Sequence, residues 1–320
     1  MLDDHQERRQ RKRLSQTGNA GSSSGPEVNG ESACMKRLRV TVCTLLLLAV
    51  AQLHAEETVD ENLPGLWGIR LVAFGQDFPA YPSSSDQNLT ILPLPYPVYR
   101  GKILRFGEDL EDIANSRILN GDRFKLSLGL NASFPEDSDN LSVRTGMPDL
   151  DFLVEAGPEL KIALKGGPDE DRELKLSLQV RGAVSLDGLD PTGRGFVFNP
   201  ELEYLARDLL GPRAVLRFRV APAWANRNYM NFFYSVAPEF ATPTRPQFDA
   251  FSGYLNTEFL VGLNRQITDR LEFRGSVRLW VNKGAANDAS PLYQRDYDRG
   301  IRLALFWTAW ESKRRAATKD

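Results

Sequence analysis

Apolar and polar residues alternate one for one along several stretches of the chain. Leu174-Lys175-Leu176-Ser177-Leu178-Gln179-Val180-Arg181 is nearly perfect, and so is Lys125-Leu126-Ser127-Leu128-Gly129-Leu130-Asn131-Ala132. Leu271 to Leu279 repeats the form, and Ile301 to Leu305 does so near the end. A two-residue period puts apolar side chains on one face of a strand and polar ones on the other. Weaker versions run over Trp67 to Ala73, Phe152 to Leu164, Phe196 to Tyr204, Leu216 to Ala223, Phe232 to Phe240 and Leu255 to Leu263. Turn chemistry separates them at Asn120-Gly121-Asp122, Gly166-Gly167-Pro168-Asp169, Asp187-Gly188-Leu189-Asp190-Pro191, Gly211-Pro212 and Lys283-Gly284. One short helix fits the pattern, near Leu202 to Leu210, with Gly211-Pro212 as its stop.

About eleven to thirteen strand candidates follow residue 56, roughly 22 residues per strand and loop, which suits strands of about 10 residues tilted across a bilayer. Alternation alone also fits a soluble sandwich. Two features of the strands favour an all-β, antiparallel transmembrane β-barrel of about 12 strands (range 10–14). The polar face carries long charged residues (Lys175, Arg181, Arg217, Arg219, Arg274, Arg278, Arg302) that a polar lumen would solvate. Aromatics gather near strand ends, as girdles do: Tyr96, Tyr99, Trp224, Tyr229, Phe232, Phe233, Tyr234, Trp280, Trp307 and Trp310. A mean hydropathy of −0.36 agrees, since half of every barrel strand is polar.

The N-terminal part adds a third feature. Met35-Lys36-Arg37-Leu38-Arg39 precedes the apolar run Val40 to Ala51, a basic segment followed by a hydrophobic one and then small residues. Cleavage fits after Ala51 or after Ala55, and Ala55 is preferred because Glu56-Glu57 then opens the mature chain. The run is about a dozen residues, short of the roughly 20 a spanning helix needs. Cys43 lies inside it rather than after it, which argues against a lipid anchor there. Residues 1–34, with Arg8, Arg9, Arg11, Lys12 and Arg13 beside a Ser/Gly stretch, cannot bury a core and read as a disordered extension from a mis-assigned start. The expected organisation is thus 1–34 extension, 35–55 signal peptide, 56–310 barrel and 311–320 polar tail.

Removing residues 1–55 takes both cysteines (Cys34, Cys43) and both histidines (His5, His54) with it. It also removes 8 of the 40 basic and 5 of the 42 acidic residues, leaving a net charge of about −5 and no basic footprint for nucleic acid. With neither His nor Cys, thiol nucleophiles, His bases, His/Cys metal sites and Ser-His-Asp hydrolysis are excluded. No catalytic, cofactor-binding or metal-binding residue is assigned. Asp86, Asp149 and Glu155 are carboxylates able to hold a cation or move a proton, but charged groups at barrel rims and in lumens are ordinary. Prolines 79, 82, 93, 95 and 97 belong at edges, bends or strand ends. Gly101, Gly146 and Gly157 read as turn or bulge positions.

Several blocks stand in a recognisable order. Pro79-Ala80-Tyr81-Pro82-Ser83-Ser84-Ser85-Asp86 leads to Leu92-Pro93-Leu94-Pro95-Tyr96 and Tyr99-Arg100-Gly101. Arg144-Thr145-Gly146-Met147-Pro148-Asp149-Leu150 and Glu155-Ala156-Gly157-Pro158-Glu159-Leu160 follow, then Tyr229, Phe233-Tyr234-Ser235-Val236 and Ala289-Ser290-Pro291-Leu292. Over about residues 60–310 this set resembles the MipA/OmpV family, the MltA-interacting proteins of the Gram-negative outer membrane. The resemblance implies an outer-membrane barrel in contact with outer-membrane lipid. It also implies a scaffold joining a lytic transglycosylase of the MltA type to a bifunctional peptidoglycan synthase. One departure is that Phe306-Trp307-Thr308-Ala309-Trp310 is followed by the polar tail Glu311 to Asp320, where such barrels end on an aromatic. The alternatives are a small-solute channel, suggested by the arginine-rich polar faces, and, behind it, a lipid-modifying enzyme restricted to carboxylate chemistry or a surface adhesin.

Overall fold

The computed structural model of the chain describes residues 63–101, 104–106, 114–116, 119–120, 123–167, 170–188 and 190–316. The expected extension, signal peptide and cleavage site lie outside the described residues, as do Gly121-Asp122, Pro168-Asp169 and Leu189 of the expected turns.

Among the described residues, thirteen strands form one sheet. Ten are long: β1 (Trp67–Pro79), β2 (Gln87–Arg100), β6 (Phe124–Ser133), β7 (Phe152–Lys165), β8 (Arg172–Asp187), β9 (Asp190–Arg207), β10 (Ala214–Ala225), β11 (Gly253–Thr268), β12 (Leu271–Val281) and β13 (Tyr297–Glu311). Three are short: β3 (Leu104–Phe106), β4 (Ala114–Ser116) and β5 (Leu119–Asn120). Sequential strands pair antiparallel from β5 to β13, and β13 pairs with β1, so the last strand closes on the first. The two sheet ends, β4 and β5, adjoin in sequence, and β4 lies against β6. The expected all-β antiparallel barrel is therefore present, at ten long strands.

Alternation sets the two faces. On β13, Ile301, Leu303, Leu305 and Trp307 are half exposed, while Ala304 and Phe306 between them are buried and Arg302 is partly buried. The same holds on β12, where Val277 and Leu279 face out and Arg278 faces in. An outer surface of exposed Ile, Leu, Val and Phe costs stability in water but matches the apolar band of a barrel in lipid. Trp67, Tyr99, Trp307 and Trp310 end this belt on one side, with Trp67 and Tyr99 rings 4.4 Å apart. Phe198, Trp224 and Tyr254 end it on the other. Tyr96, Tyr229, Phe233, Tyr234 and Trp280 do not join these girdles, because their positions put them inside the barrel or its cap.

Two expected elements are reversed. Leu202 to Leu210 is not a helix: it completes β9, paired on both sides by β8 and β10, and the chain turns at Asp208 (φ 57°) before Gly211 (φ 97°). Phe232 to Phe240 is not a strand. It holds the end of helix α1 (Arg227–Tyr234) and a 3-10 turn at Pro238–Phe240. The buried positions Tyr229, Met230, Phe233 and Tyr234 have the three-to-four spacing of a helix, and Asn226 caps it by accepting from the Tyr229 N–H at 3.1 Å. The stretch Gln87–Arg100, whose prolines are expected at edges, bends or strand ends, is a full strand with Pro93, Pro95 and Pro97 inside it.

The turns Gly166 (φ 71°), Gly188 (φ 61°) and Gly284 (φ 81°) stand where punctuation predicted them. Three connections are long: 134–151 after β6, 226–252 after β10 and 282–296 after β12. With loop 80–86 they occupy one end of the barrel. The turns 166–171, 208–213 and 269–270 occupy the other, together with both ends of the described chain. There Leu66 N–H donates to Arg314 O at 2.6 Å and Ala316 N–H to Pro64 O at 2.8 Å, so part of the polar tail runs paired beside the start of β1.

Candidate functional site

The inward face of β7 to β12 carries the charged residues that the alternation predicted, and they pair with one another. Lys175 on β8 lies 2.6 Å from Glu203 on β9, whose other oxygen is 3.5 Å from Arg217 on β10. A second ladder runs from Glu201 through Arg219 (3.5 Å) to Glu258 (2.8 Å) and Arg278 (3.3 Å). Lys161 reaches Glu159 at 3.1 Å, and Arg70 and Arg274 flank Glu272 at 3.4 and 2.6 Å. Desolvation offsets much of the attraction in such pairs, so their main effect is to hold the wall in one arrangement. The two ladders, with Lys161 and Glu159, border a cavity of about 490 Å³.

The long-loop end is closed by a cap. Tyr81, Leu141, Leu150, Met230, Phe233 and Tyr234 pack into one cluster under it. The Tyr-Pro-Ser-Ser-Ser-Asp block is its fastening. Tyr81 Oη donates to Leu292 O at 2.8 Å, and Tyr234 Oη donates to Pro82 O at 3.0 Å. The Ser83 N–H donates to Asp298 Oδ2 at 2.8 Å, and the Ser85 N–H to Gln294 Oε1 at 2.9 Å. Burial pushes the Tyr81 and Tyr234 phenols well above their ordinary range, so both stay protonated donors. Arg144, almost fully buried, binds Ser138 Oγ, Pro148 O and Phe233 O, and burial lowers its guanidinium to about 10.

The three carboxylates singled out in the sequence are not brought together. Asp86 accepts from the N–H and hydroxyl of Ser142, both at 2.9 Å, and Asp149 accepts from the Ser138 N–H at 2.8 Å. Both fasten loop 134–151. Glu155 stands apart in the lumen, 2.9 Å from Arg181 Nε and 2.9 Å from the Tyr229 hydroxyl. Among the described residues no group of three or more His, Cys, Asp or Glu is placed to hold a metal. Gly146 (φ 78°) is a turn position, as expected. Gly157 is not: it lies inside β7, where a Cβ would stand 1.9 Å from Val180 O. Gly157-Pro158 also interrupts the ladder with β8, which stops at Ala156 and resumes at Glu159. Residues that sequence reasoning passed over are Arg144, Asn226 and Arg100, whose guanidinium ties Gly65 O (2.7 Å) to Glu311 (3.2 Å). Arg144 and Arg100 each stand in a quoted block, which was the signal available.

Among solved structures, the chain is similar to the NanC porin at 10% identity and TM-score 0.36, covering 74% of this chain and 99% of that one. An outer membrane channel from Pseudomonas putida F1 matches at 11% identity and TM-score 0.40, over 79% of this chain and 100% of its own. No curated protein matches. The family described as MltA-interacting protein MipA matches residues 73–309, the span from β1 to β13 that carries the cap, the charged ladders and the quoted blocks. The chain belongs to that MltA-interacting family and is one of its outer-membrane β-barrels of Gram-negative bacteria.

Proposed function

We propose that the barrel is a non-enzymatic scaffold that holds a lytic transglycosylase of the MltA type close to a bifunctional peptidoglycan synthase. The observation that carries this reading is internal pairing. The ladder charges are engaged with one another, and the cap is fastened by buried hydrogen bonds, so the interior is built as a rigid support. The family's name supports the transglycosylase as partner. Barrels of this kind place short turns and chain termini toward the periplasm and long loops outside. On that rule the short-turn end faces the peptidoglycan and presents the docking surface. A capture experiment tests the reading: the purified barrel, in mild detergent, should retain both enzymes from an envelope extract. Retention of neither overturns it.

A small-solute channel is the second reading, favoured by the cavity and its charged lining. It requires stepwise conductance in planar bilayers, and a silent bilayer removes it.

A further inference from the structure

The outer face of the β12–β13 hairpin carries cations at the level where the apolar belt ends. Register on this hairpin places Leu279 opposite Arg299 and Val281 opposite Tyr297. One step further the Asn282 N–H donates to Asp296 O at 2.7 Å, which brings Lys283 beside Arg295. Alternation puts Leu279, Val281, Tyr297, Arg299 and Ile301 on the outer face. Lys283, Arg295, Tyr297 and Arg299 are all exposed, and the belt residues Ile301 and Leu303 continue directly from them. Tyr254 of the aromatic girdle fixes the depth, since its hydroxyl donates to Val281 O at 3.1 Å. Arg299 therefore stands on the belt side of the girdle, and Lys283 and Arg295 stand just beyond it.

Among the described residues none of these three cations makes an ion pair, in contrast to the paired lysine and arginines of the lumen. The neighbouring carboxylates are engaged elsewhere or offset. Asp296 accepts from the Tyr293 hydroxyl at 2.9 Å. Asp298 is buried and accepts from the Ser83 N–H, and Asp77 of β1 stands opposite Ile301 rather than Arg299. Like charges side by side across a strand pair destabilise it. A cation facing hydrocarbon is also unfavourable, unless it meets an anion. An anion carrying apolar chains relieves both. Arg295 and Arg299 are four residues apart, about 13 Å at roughly 3.3 Å per residue, so they meet two anionic groups rather than one. A guanidinium suits phosphate, which it grips through paired N–H donors.

We infer that Lys283, Arg295, Tyr297 and Arg299 form a site for a membrane lipid with two phosphates on its head. One phosphate meets Lys283 and Arg295, and the other meets Arg299. The Tyr297 side chain lies between them, and the acyl chains run along Leu279, Ile301 and Leu303. Barrels of this kind hold their long loops outside, so the lipid belongs to the outer leaflet. The site is on the lipid-facing surface and does not depend on the lumen or on the scaffold reading.

Native mass spectrometry of the full-length protein in neutral detergent tests binding. The probes are diphosphoryl lipid A, its monophosphoryl form and the acyl-free disaccharide bisphosphate. One diphosphoryl lipid per chain is expected, bound about tenfold tighter than either of the others. Arg295→Gln combined with Arg299→Gln should weaken the diphosphoryl lipid by about tenfold or more. Arg265→Gln combined with Arg270→Gln removes the same charge from exposed positions toward the short-turn end and should leave binding unchanged. A heat-dependent mobility shift confirms that each variant is folded. Non-saturable adducts, equal affinity for the two lipid forms, or equal loss in both double variants overturns the site. Binding of the acyl-free bisphosphate as tightly as the lipid assigns the cations to soluble phosphate and overturns the lipid.

Discussion

A methyl group on Gly157 would come to 1.9 Å from the Val180 carbonyl oxygen, whereas one on Gly188 would meet nothing within 4 Å and suffer only from its positive φ. Gly157→Ala must therefore push β7 and β8 apart, at a cost of about 1–3 kcal/mol by the usual scale of overpacking. Gly188→Ala should cost about 1 kcal/mol, from left-handed strain alone. Thermal unfolding followed by electrophoretic mobility would rank the two. The Glu155 carboxylate poses the opposite problem, since it is buried and depends on Arg181 and the Tyr229 hydroxyl. Arg181→Ala leaves it uncompensated and should destabilise by about 3 kcal/mol. Adding Glu155→Gln should recover part of that loss, and no recovery in the double variant would mean the pair is not coupled. Both roles are hard to read from sequence. A glycine in an alternating strand looks like any other, and the partner of Glu155 lies 26 residues away on a neighbouring strand.

At the level of elements, the cap is the part with a titration signature. The Tyr81 and Tyr234 phenols are raised above the ordinary value of 10.0 by burial. In the unfolded chain they ionise near that value, while in the cap they stay protonated. Their contribution is therefore complete below about pH 10 and is lost as pH rises beyond it. Protease cleavage of loops 134–151 and 226–252 should accelerate between pH 10 and 12, and Tyr81→Phe with Tyr234→Phe should flatten that rise. A flat profile in the unmodified protein would show that neither phenol is held in this way. Helix α1 makes a second element-level case. Asn226 Oδ1 accepts from both the Tyr229 and Phe196 N–H groups, so Asn226→Ala should cost about 1–2 kcal/mol. The aromatic spacing of Phe232 to Phe240 is compatible with two periods over so short a length, so sequence alone does not separate helix from strand there. The error at Leu202 to Leu210 has another cause: helix propensity is a weak prior that pairing by β8 and β10 overrides.

For the whole molecule, the two faces make opposite predictions. Leu303→Arg sets a charge in the lipid-facing belt and should destabilise by about 2–4 kcal/mol if it lies near the midplane. The neighbouring Arg302 is already a partly buried inward arginine, received by Gln76 and by the Phe74 and Phe78 rings. Bilayer unfolding titrations would separate these sites. A boiled-against-unboiled mobility shift in the outer-membrane fraction checks the closed barrel itself.

The amino-acid sequence by itself determined the strand class, the in-and-out assignment of most positions and the family. A two-residue period with turn residues between is local information, and so are the ordered blocks. Tertiary structure alone decided that Lys175, Arg217, Arg219 and Arg278 of the polar face are paired with carboxylates in ladders across strands. It also decided that the proline-rich stretch is a full strand, and that the most specific block, Tyr81 to Asp86, fastens a cap. Each of these depends on register between strands far apart in the chain, and register is set by closure of the sheet, which no local pattern contains.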